Sequence, residues 1–432
     1  MTTYHLPYGK AHLTFTLLDD LNVQLLAPHD AAGAADPLAA VTQALESPLG
    51  GRLLTGLWDD LGRPSSVVRR PSSVAIAIND KTRPVPHKEL LPPLLARLEG
   101  LGFAPADITL LIATGTHAPM RPDEFPQVVP PDVLARYPVI SHDCDDAANL
   151  IYLGQTSRAT PVWANRRWWE ADLRIVTGDI EPHQFMGFSG GVKSAAIGLT
   201  GRLTINTNHA MMSAPGSQIG VYEENPCRQD VEEIGRVMGV HYALNAVLND
   251  HKQIVRALAG DPAAVMQAGI PLVRGIFQVI VPQPLDLCIV SPGGHPKDIN
   301  LYQGQKALGH ATPVVRPGGT VILAAACPEG TGSPGYEAFM ADPAMISYEA
   351  VLARYAREGY RIGPHKAWQI ARDASRIRLL TITEMPADFA RRLLLNPVAG
   401  PEEALALALA DLPPNARVGV MPWANATIPA LA

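Results

Sequence analysis

The sequence has few cysteines, no excess of positive charge and no long apolar run. Its four cysteines occur without a C-x-x-C pair, which fits a protein of the reducing cytoplasm. The 35 basic and 41 acidic residues give a formal net charge of -6, so we expect no basic surface for nucleic acid. No segment reaches the roughly 18 uncharged apolar residues of a membrane span, and the first ten residues lack the pattern of an export signal. We therefore expect a soluble cytoplasmic protein that binds neither nucleic acid nor membranes.

Alternating strand and helix patterns predict the fold class. Short apolar, β-branched runs each end in polar residues, glycine or proline, and a helical pattern follows. These runs are SVAIAIND (73–80), DITLLIAT (107–114), DLRIVTGDI (172–180), DLCIVSP (286–292) and GTVILAAA (319–326). The alternation is typical of an α/β fold with mainly parallel sheets. Ligands bind beyond the carboxyl ends of such strands, where the polar clusters of this sequence fall.

The length of 432 residues predicts two domains. A helical pattern covers 251–277, and the proline-rich VPQP that follows it marks a domain junction near residue 280. We therefore expect an N-terminal domain over 1–278 and a C-terminal α/β domain over 279–413. A last strand-like run, ARVGVMPWANATIP, makes 414–432 a candidate to return to the first domain.

Three motifs resemble functional signatures but depart from them. GTGSPG (330–335) has the spacing of a dinucleotide-binding loop, yet Pro334 is awkward where a helix should open, so a loop is expected. SHDCDD (141–146) has metal-binding residue types, but consecutive side chains rarely converge on one ion. GFSGGVKS (187–194) resembles a phosphate-binding P-loop, but Val192 stands before Lys193 where that loop needs glycine. Nucleotide triphosphate hydrolysis is therefore not predicted.

The remaining candidates are basic and imidazole residues at strand ends. Arg83 lies between prolines in NDKTRPVP, which would fix the direction of a guanidinium suited to a carboxylate. His117 in ATGTHAPM and His183 in GDIEPHQF each follow a strand and a turn. One such histidine is more often structural, but two at equivalent strand ends favour acid/base chemistry. His209 alone is either structural or a metal ligand.

Lys193 lies in a glycine-rich, apolar stretch, and burial there would lower its pKa and make its amine nucleophilic. A second polar cluster, NLYQGQKALGH, contributes Tyr302, Gln303 and Lys306 after the SPGGHP turn. The simpler interpretation of that cluster is an exposed helix start.

These residues together resemble the nickel-dependent lactate racemase family. DKTRPVP, ATGTH, GDIEPHQFMGFSGGVKS, the NH pair at 208–209, SPGG and LYQGQKA match in order and spacing. The ten residues from His183 to Lys193 and the sixteen from Lys193 to His209 are shared. The resemblance covers essentially the whole chain, and it implies two α/β domains with the active site in the cleft between them.

The resemblance also implies a cofactor and a role for each candidate. Lys193 would carry a covalently attached nickel-pincer nucleotide, built by cofactor-biosynthesis proteins, and His209 would be its nickel ligand. His117 and His183 would be the acid/base pair, and Arg83 and Lys306 would bind the substrate carboxylate. The remaining positions expected to line the site are Asp80, Gly190 and Gly191 toward the cofactor, and Tyr302, Gln303 and Trp368 toward the substrate.

The implied reaction is racemisation of a 2-hydroxy acid by hydride transfer. Loss of the Cα proton is hard beside an anionic carboxylate, whereas hydride removal gives a 2-oxo acid and needs one base for each face. Soft donors and one imidazole suit nickel in a square-planar site. The apolar QFMGF segment (184–188) favours a small or apolar substrate side chain.

Two alternatives stay open from the sequence. An NAD-dependent 2-hydroxy acid dehydrogenase is supported only by GTGSPG, and added NAD would then give net turnover. A non-catalytic nickel-nucleotide binding protein would not interconvert enantiomers, and the complete set of acid/base and carboxylate-binding positions argues against it.

Overall fold

The computed structural model describes residues 1–51, 53–60, 73–413 and 415–432, and the chain forms two compact units. The central unit is Asp30–Ile276, and the terminal unit joins Met1–His29 to Phe277–Ala432. Strands and helices alternate through most of the chain in both units, as predicted for the α/β class.

Strands are numbered in chain order over the described residues. They are β1 (Thr2–Tyr8), β2 (Ala11–Leu17), β3 (Asn22–Leu25), β4 (Val74–Asn79), β5 (Ile108–Ala113), β6 (Val139–Ser141), β7 (Leu150–Gln155), β8 (Pro161–Asn165), β9 (Leu173–Asp179), β10 (Pro182–His183), β11 (Gly187–Phe188), β12 (Tyr242–Leu248), β13 (Ile254–Gly260), β14 (Gln278–Val281), β15 (Leu285–Val290), β16 (Val315–Ala324), β17 (Arg378–Ile382), β18 (Arg417–Met421) and β19 (Ile428–Leu431).

The α-helices are numbered in the same way. They are α1 (Pro37–Glu46), α2 (Leu54–Asp60), α3 (His87–Gly100), α4 (Pro131–Leu134), α5 (Arg166–Glu170), α6 (Lys193–Ala196), α7 (Arg202–Ala210), α8 (Pro226–Val237), α9 (Pro262–Phe277), α10 (Leu301–Ala311), α11 (Pro334–Met340), α12 (Tyr348–Glu358), α13 (Pro364–Ala374), α14 (Ala387–Arg392) and α15 (Pro401–Leu409).

The central unit is built on a six-stranded sheet in the order β13-β12-β9-β4-β5-β6. All neighbours are parallel except β12 and β13, which form an antiparallel pair at one edge. The middle strands are continuous apolar runs because both faces of a parallel sheet are covered. Ile76 and Ile78 of β4 are fully buried in one core with Leu94 of α3. The carboxyl ends of β9, β4 and β5 therefore lie side by side on a rigid base.

The terminal unit has an all-parallel sheet in the order β17-β16-β15-β18-β3. The strand of this sheet that comes first in the chain is β3, and it pairs with β18 near the C-terminus. An antiparallel hairpin of β1 and β2 and a parallel pair of β14 and β19 complete its strands among the described residues. This unit has its own apolar cores on the two faces of β15 and β16.

The division of the chain differs from the expected 1–278 and 279–413. The central unit ends at Ile276, whereas the junction was expected near residue 280, and Met1–His29 belongs to the terminal unit. The segment 414–432 was a candidate to return to the first domain. Its described part, from residue 415, contributes β18 to the terminal unit, because β18 lies between β15 and β3. Pro414 itself lies outside the described residues.

One helix prediction was wrong over its N-terminal part, residues 251–261. The 251–277 segment forms the strand β13 before the helix α9, which begins only at Pro262. A hydrophobic periodicity that suits a helix did not prevent Ile254–Gly260 from pairing with β12. No helix among the described residues has the length and apolar character to cross a membrane.

Candidate active site

A polar cavity opens at the carboxyl ends of the middle strands of the central unit. Its wall contains seven of the residues predicted for the site, namely Asp80, Arg83, His117, His183, Gly190, Lys193 and His209. The segments that follow β4, β5 and β9 supply all of them except His209, which lies on α7. Adjacent parallel strands bring these loops together although they are far apart in sequence.

His117 is held by a carboxylate. Its Nδ1 lies 2.7 Å from Oδ2 of Asp80, and the other oxygen of Asp80 accepts hydrogen bonds from the backbone N–H and the hydroxyl of Thr82 at 3.0 and 2.6 Å. Burial raises the pKa of Asp80, but the hydrogen bonds from His117 and Thr82 outweigh it, so the net pKa is lowered. An ionised Asp80 accepts from Nδ1 and directs Nε2 of His117 elsewhere.

Arg83 lies on the same short loop after β4. Its backbone N–H donates to the carbonyl of Asp80 at 3.1 Å, which closes a tight turn. Its guanidinium donates to the carbonyl of Thr82 at 3.4 Å, a single bond that leaves most of its five N–H groups for other acceptors. A half-buried guanidinium at a cavity wall suits a planar anion such as a carboxylate.

His183 lies on the two-residue ladder of β10 and β11, where it pairs with Gly187. Its Nδ1 accepts a hydrogen bond from the backbone N–H of Met186 at 3.3 Å. The ring of Phe185 contacts it edge-on, with centroids 4.8 Å apart, and contacts the ring of His209 at 5.2 Å on its other side. Phe185 therefore separates the two imidazoles and limits their rotation.

Lys193 begins α6 and is half-buried at the cavity wall. Burial, followed by the positive charges of Arg83 and Arg228, lowers the pKa of Lys193 to about 7. Its Nζ lies 3.5 Å from the hydroxyl of Ser189. A large fraction of this amine is therefore neutral near pH 7, as expected of a nucleophilic lysine.

The two glycines before Lys193 are required by close packing. Gly190 and Gly191 have φ angles of +90° and +59°. A Cβ on Gly190 would lie 2.7 Å from Cγ1 of Ile180, and one on Gly191 would lie 2.7 Å from Cγ of Met266. Glycine is the residue that meets both demands, so the chain turns tightly enough to direct Lys193 into the cavity.

His209 lies in the last turn of α7, next to the fully buried Asn208. The amide of Asn208 donates to the carbonyl of Cys227 and to the carboxylate of Asp230, both at 2.9 Å. Asp230 also accepts from the hydroxyls of Thr156 and Thr160, at 2.6 and 2.9 Å. This buried network fixes the rotation of α7 and so presents His209 to the cavity.

Comparison with known proteins agrees with this geometry. The family model described as the lactate racemase N-terminal domain matches residues 8–220, and the model of the lactate racemase C-terminal domain matches residues 280–428. A lactate racemase from Lactiplantibacillus plantarum is 31% identical over 348 residues, which are 79% of each chain. The chain belongs to the lactate racemase family. As a member of that family it is an isomerase, a racemase.

Further relatives cover the full length of this racemase. A lactate racemase from Thermoanaerobacterium thermosaccharolyticum is 28% identical over 431 residues, 98% of each chain. The solved structure of its apoprotein matches 99% of this chain and 100% of that one, with a TM-score of 0.88 and 27% identity. A Thermotoga maritima protein, at 16% identity and a TM-score of 0.64, covers 94% of this chain and shares the fold alone.

The other predicted residues of the racemase lie in the terminal unit. Tyr302, Gln303 and Lys306 are on α10, where Nζ of Lys306 donates to Oε1 of Gln303 at 2.7 Å. Trp368 is on α13 and is mostly buried, with its ring stacked on Tyr355 at a centroid distance of 5.4 Å. Their contact with substrate stays a prediction.

Asp179 and Ser194 are among the residues of the racemase cavity that the sequence analysis missed. Asp179, the last residue of β9, lines the cavity and is buried, and this burial, followed by the negative charge of Glu181, raises the pKa of Asp179 to about 7. Ser194 also lines the cavity and donates to the carbonyl of Thr177 at 2.8 Å. The position of Asp179 at a strand end was the available signal.

The SHDCDD segment is more compact than its consecutive positions predict. Ligand atoms of Asp143, Cys144 and Asp145 lie within 4.8 Å of one another. However, both carboxylate oxygens of Asp145 accept from the guanidinium of Arg202, each at 2.7 Å, and Cys144 is buried. A bidentate arginine already neutralises the acidic group that a cation would need.

Proposed function

We propose that this racemase interconverts the enantiomers of a small 2-hydroxy acid, lactate or a close analogue. Both relatives quoted above are named lactate racemases. The observation that carries the proposal is that one cavity is lined by a half-buried lysine, two histidines that follow separate strands and an arginine. This set supplies an anchor, two acid/base groups and a carboxylate partner.

We further propose that Lys193 anchors the nickel-pincer nucleotide implied by the family resemblance. The residues fit this group in three respects: the amine of Lys193 is buried and largely neutral, two glycines let the backbone approach closely, and the imidazole of His209 reaches the same cavity as a nitrogen ligand for nickel. The chemistry that such a group supplies when bound is reversible acceptance of a hydride. Maturation would require cofactor-biosynthesis proteins.

The protein itself performs the proton transfers. In the proposed reaction one histidine takes the proton of the substrate hydroxyl as Cα loses a hydride, and a histidine on the opposite face gives a proton to the carbonyl oxygen of the 2-oxo acid as the hydride returns to Cα. The Asp80 carboxylate orients His117 for this role through Nδ1. The backbone N–H of Met186 fixes the ring of His183 by donating to Nδ1, which leaves the proton of the neutral ring on Nε2, the form that donates to the 2-oxo acid.

The substrate carboxylate is assigned to Arg83 of the central unit and Lys306 of the terminal unit. The apolar segment after His183 is less informative than its sequence suggested, because Met186 and Phe188 are fully buried in the protein. The choice of lactate therefore depends on the relatives.

Stopped-flow mixing of cofactor-loaded protein with each pure enantiomer tests the proposal. Wild type should interconvert both enantiomers, and His117→Ala and His183→Ala should each lose about 10²- to 10⁴-fold. Each variant should still oxidise the enantiomer whose hydroxyl faces its remaining histidine, and the two preferences should be opposite. The same preference in both variants would contradict a base on each face, and net turnover with added NAD would indicate a dehydrogenase.

A further inference from the structure

The segment that carries Lys193 is held by hydrogen bonds from a buried arginine that lies outside the cavity wall. Arg228 on α8 is fully buried, and its Nη1 and Nη2 donate to the carbonyls of Phe188 and Gly190, each at 3.1 Å. These two carbonyls flank Ser189, which contacts the lysine amine. One planar guanidinium therefore fixes the turn three to five residues before Lys193.

The positive charge of the Arg228 guanidinium is paired with the carboxylate of Glu232. Oε1 of Glu232, one helical turn further along α8, accepts from Nε of Arg228 at 3.0 Å and from Nη2 at 2.5 Å. The hydroxyl of Tyr222 also donates to Glu232, at 2.8 Å, and the Tyr222 ring lies 5.3 Å from the guanidinium. The Arg228 side chain of this ion pair is fully buried, so solvent screens the two charges weakly.

We propose that Arg228 is a positioning residue for Lys193, holding the turn that directs the amine into the cavity and placing a buried positive charge near that amine. The proposal rests on the proposed function in taking Lys193 as the reactive group. Its consequence is that Lys193 of the unmodified chain reacts as a neutral nucleophile near neutral pH, because a nearby cation disfavours the ammonium form.

The charges around Lys193 set the direction of each effect. Burial has the largest effect on its pKa, Arg83 and Arg228 lower it further, and Glu181 and Asp179 oppose them. The other titratable groups at the same cavity or segment are Asp80, His117, His183, His209 and Cys227. Removal of the Arg228 charge should make Lys193 more basic, whereas removal of the Glu232 charge, which offsets Arg228, should not.

The test is competitive acetylation of the full-length chain made without the cofactor pathway. Acetic anhydride is added at a series of pH values, and mass spectrometry of the Lys193 peptide gives the midpoint of its reactivity. Arg228→Gln should raise that midpoint by about one pH unit, and thereby slow acetylation about fivefold at pH 7. Glu232→Gln should leave the midpoint unchanged or lower it.

Arg228→Gln and Glu232→Gln remove opposite charges from one ion pair. Together they distinguish the proposed role of Arg228 from a general loosening of the turn before Lys193. Breaking the ion pair from either side loosens the same turn, so a purely structural role predicts that both variants raise the midpoint alike, and that result would overturn the proposal. Arg174→Gln is the matched control, because Arg174 also donates to two carbonyls, of Gly239 and Trp169, at 2.9 and 3.0 Å. It should leave the midpoint at the wild-type value.

If Arg228→Gln does not fold, Glu232→Gln still decides, since a raised midpoint in that variant contradicts the proposal. An unchanged midpoint in folded Arg228→Gln would also overturn it. Because the labelling uses unmodified protein, these results are independent of whether Lys193 later anchors a cofactor.

Discussion

At the scale of single residues, the two proposed acid/base histidines are oriented by different partners. His117 faces a buried carboxylate through Nδ1, at 2.7 Å. His183 instead accepts a backbone N–H at Nδ1, at 3.3 Å. Both rings are held through Nδ1, but their neutral tautomers differ, because His117 donates its Nδ1 proton to Asp80 whereas His183 accepts at Nδ1 and carries its proton on Nε2. The orienting group of His117 is a side chain and can be changed by mutation.

Asp80→Asn should cost racemisation about 10²-fold or more. An amide can present its NH₂ group to Nδ1, which favours the wrong tautomer and leaves Nε2 protonated. The measurement is the initial rate of racemisation from each pure enantiomer. Thr82→Val, which removes the hydroxyl contacts to Asp80 at 2.6 Å and to Nδ1 of His117 at 3.5 Å but keeps the carboxylate, is the control and should cost much less. Equal losses in both variants would assign Asp80 to loop structure.

Lys193→Met should stabilise the unmodified chain most at neutral pH. The folded-state pKa of about 7 lies below the usual value of 10.5, so between these values the unfolded chain binds more protons and stability rises with pH. The stability advantage of the variant should therefore shrink by up to about 1.4 kcal/mol per pH unit from pH 7 toward 10. Urea unfolding of both proteins across that range measures it. A constant difference would contradict a buried, neutral amine.

At the scale of elements, the segment from β9 to α6 determines the site. Within it Gly187 has a φ of +71°, and a Cβ there would lie 1.7 Å from the carbonyl oxygen of Val221. Backbone must move to remove such a contact, so the β10–β11 pairing that holds His183 depends on this glycine.

Gly187→Ala should lower the free energy of unfolding by about 3 kcal/mol or more and abolish racemisation. Gly51→Ala is the control, because Gly51 has a φ of +74° and no atom lies within 4 Å of the position that a Cβ would take. It should cost only the conformational penalty of about 1–2 kcal/mol. Urea denaturation compares the two variants, and similar losses would mean that the clash at Gly187 is relieved cheaply.

The strands of the site were predictable because buried parallel strands are short, continuous apolar runs. β4, β5 and β9 all lie inside the predicted runs, and the candidates Arg83, His117 and His183 follow them. The helix prediction was wrong at Ile254–Gly260 for a physical reason. These residues pair with β12 at the edge of the sheet, and this tertiary pairing overrode the local helical pattern. Contacts between distant elements, such as Arg228 with the turn before Lys193, have no local signature.

At the scale of the whole molecule, the residues predicted for the site are divided between the two units. The central unit contains the proposed cofactor anchor, nickel ligand and acid/base pair, whereas Lys306 belongs to the terminal unit. The sequence predicted the junction near residue 280 but not that Met1–His29 joins the terminal unit. That addition depends on β3 pairing with β18, some 390 residues later, which no local pattern reveals.

Lys306→Ala should separate substrate binding from cofactor attachment. We expect KM to rise about tenfold or more for both enantiomers, because each loses one charge-assisted bond to its carboxylate. Cofactor content should stay at the wild-type level, because the proposed anchor and ligand lie in the central unit. Steady-state kinetics with nickel analysis of the same samples measures both. A loss of nickel in this variant would contradict the assignment of Lys306 to substrate.

The most direct test of the whole account is intact-protein and peptide mass spectrometry, combined with nickel analysis, on protein made in a host with the cofactor-biosynthesis enzymes. The account predicts a nucleotide adduct on the Lys193 peptide, bound nickel and racemase activity in the same sample. It also predicts an unmodified, inactive chain from a host that lacks those enzymes. A fully active preparation with unmodified Lys193 and no nickel would contradict it.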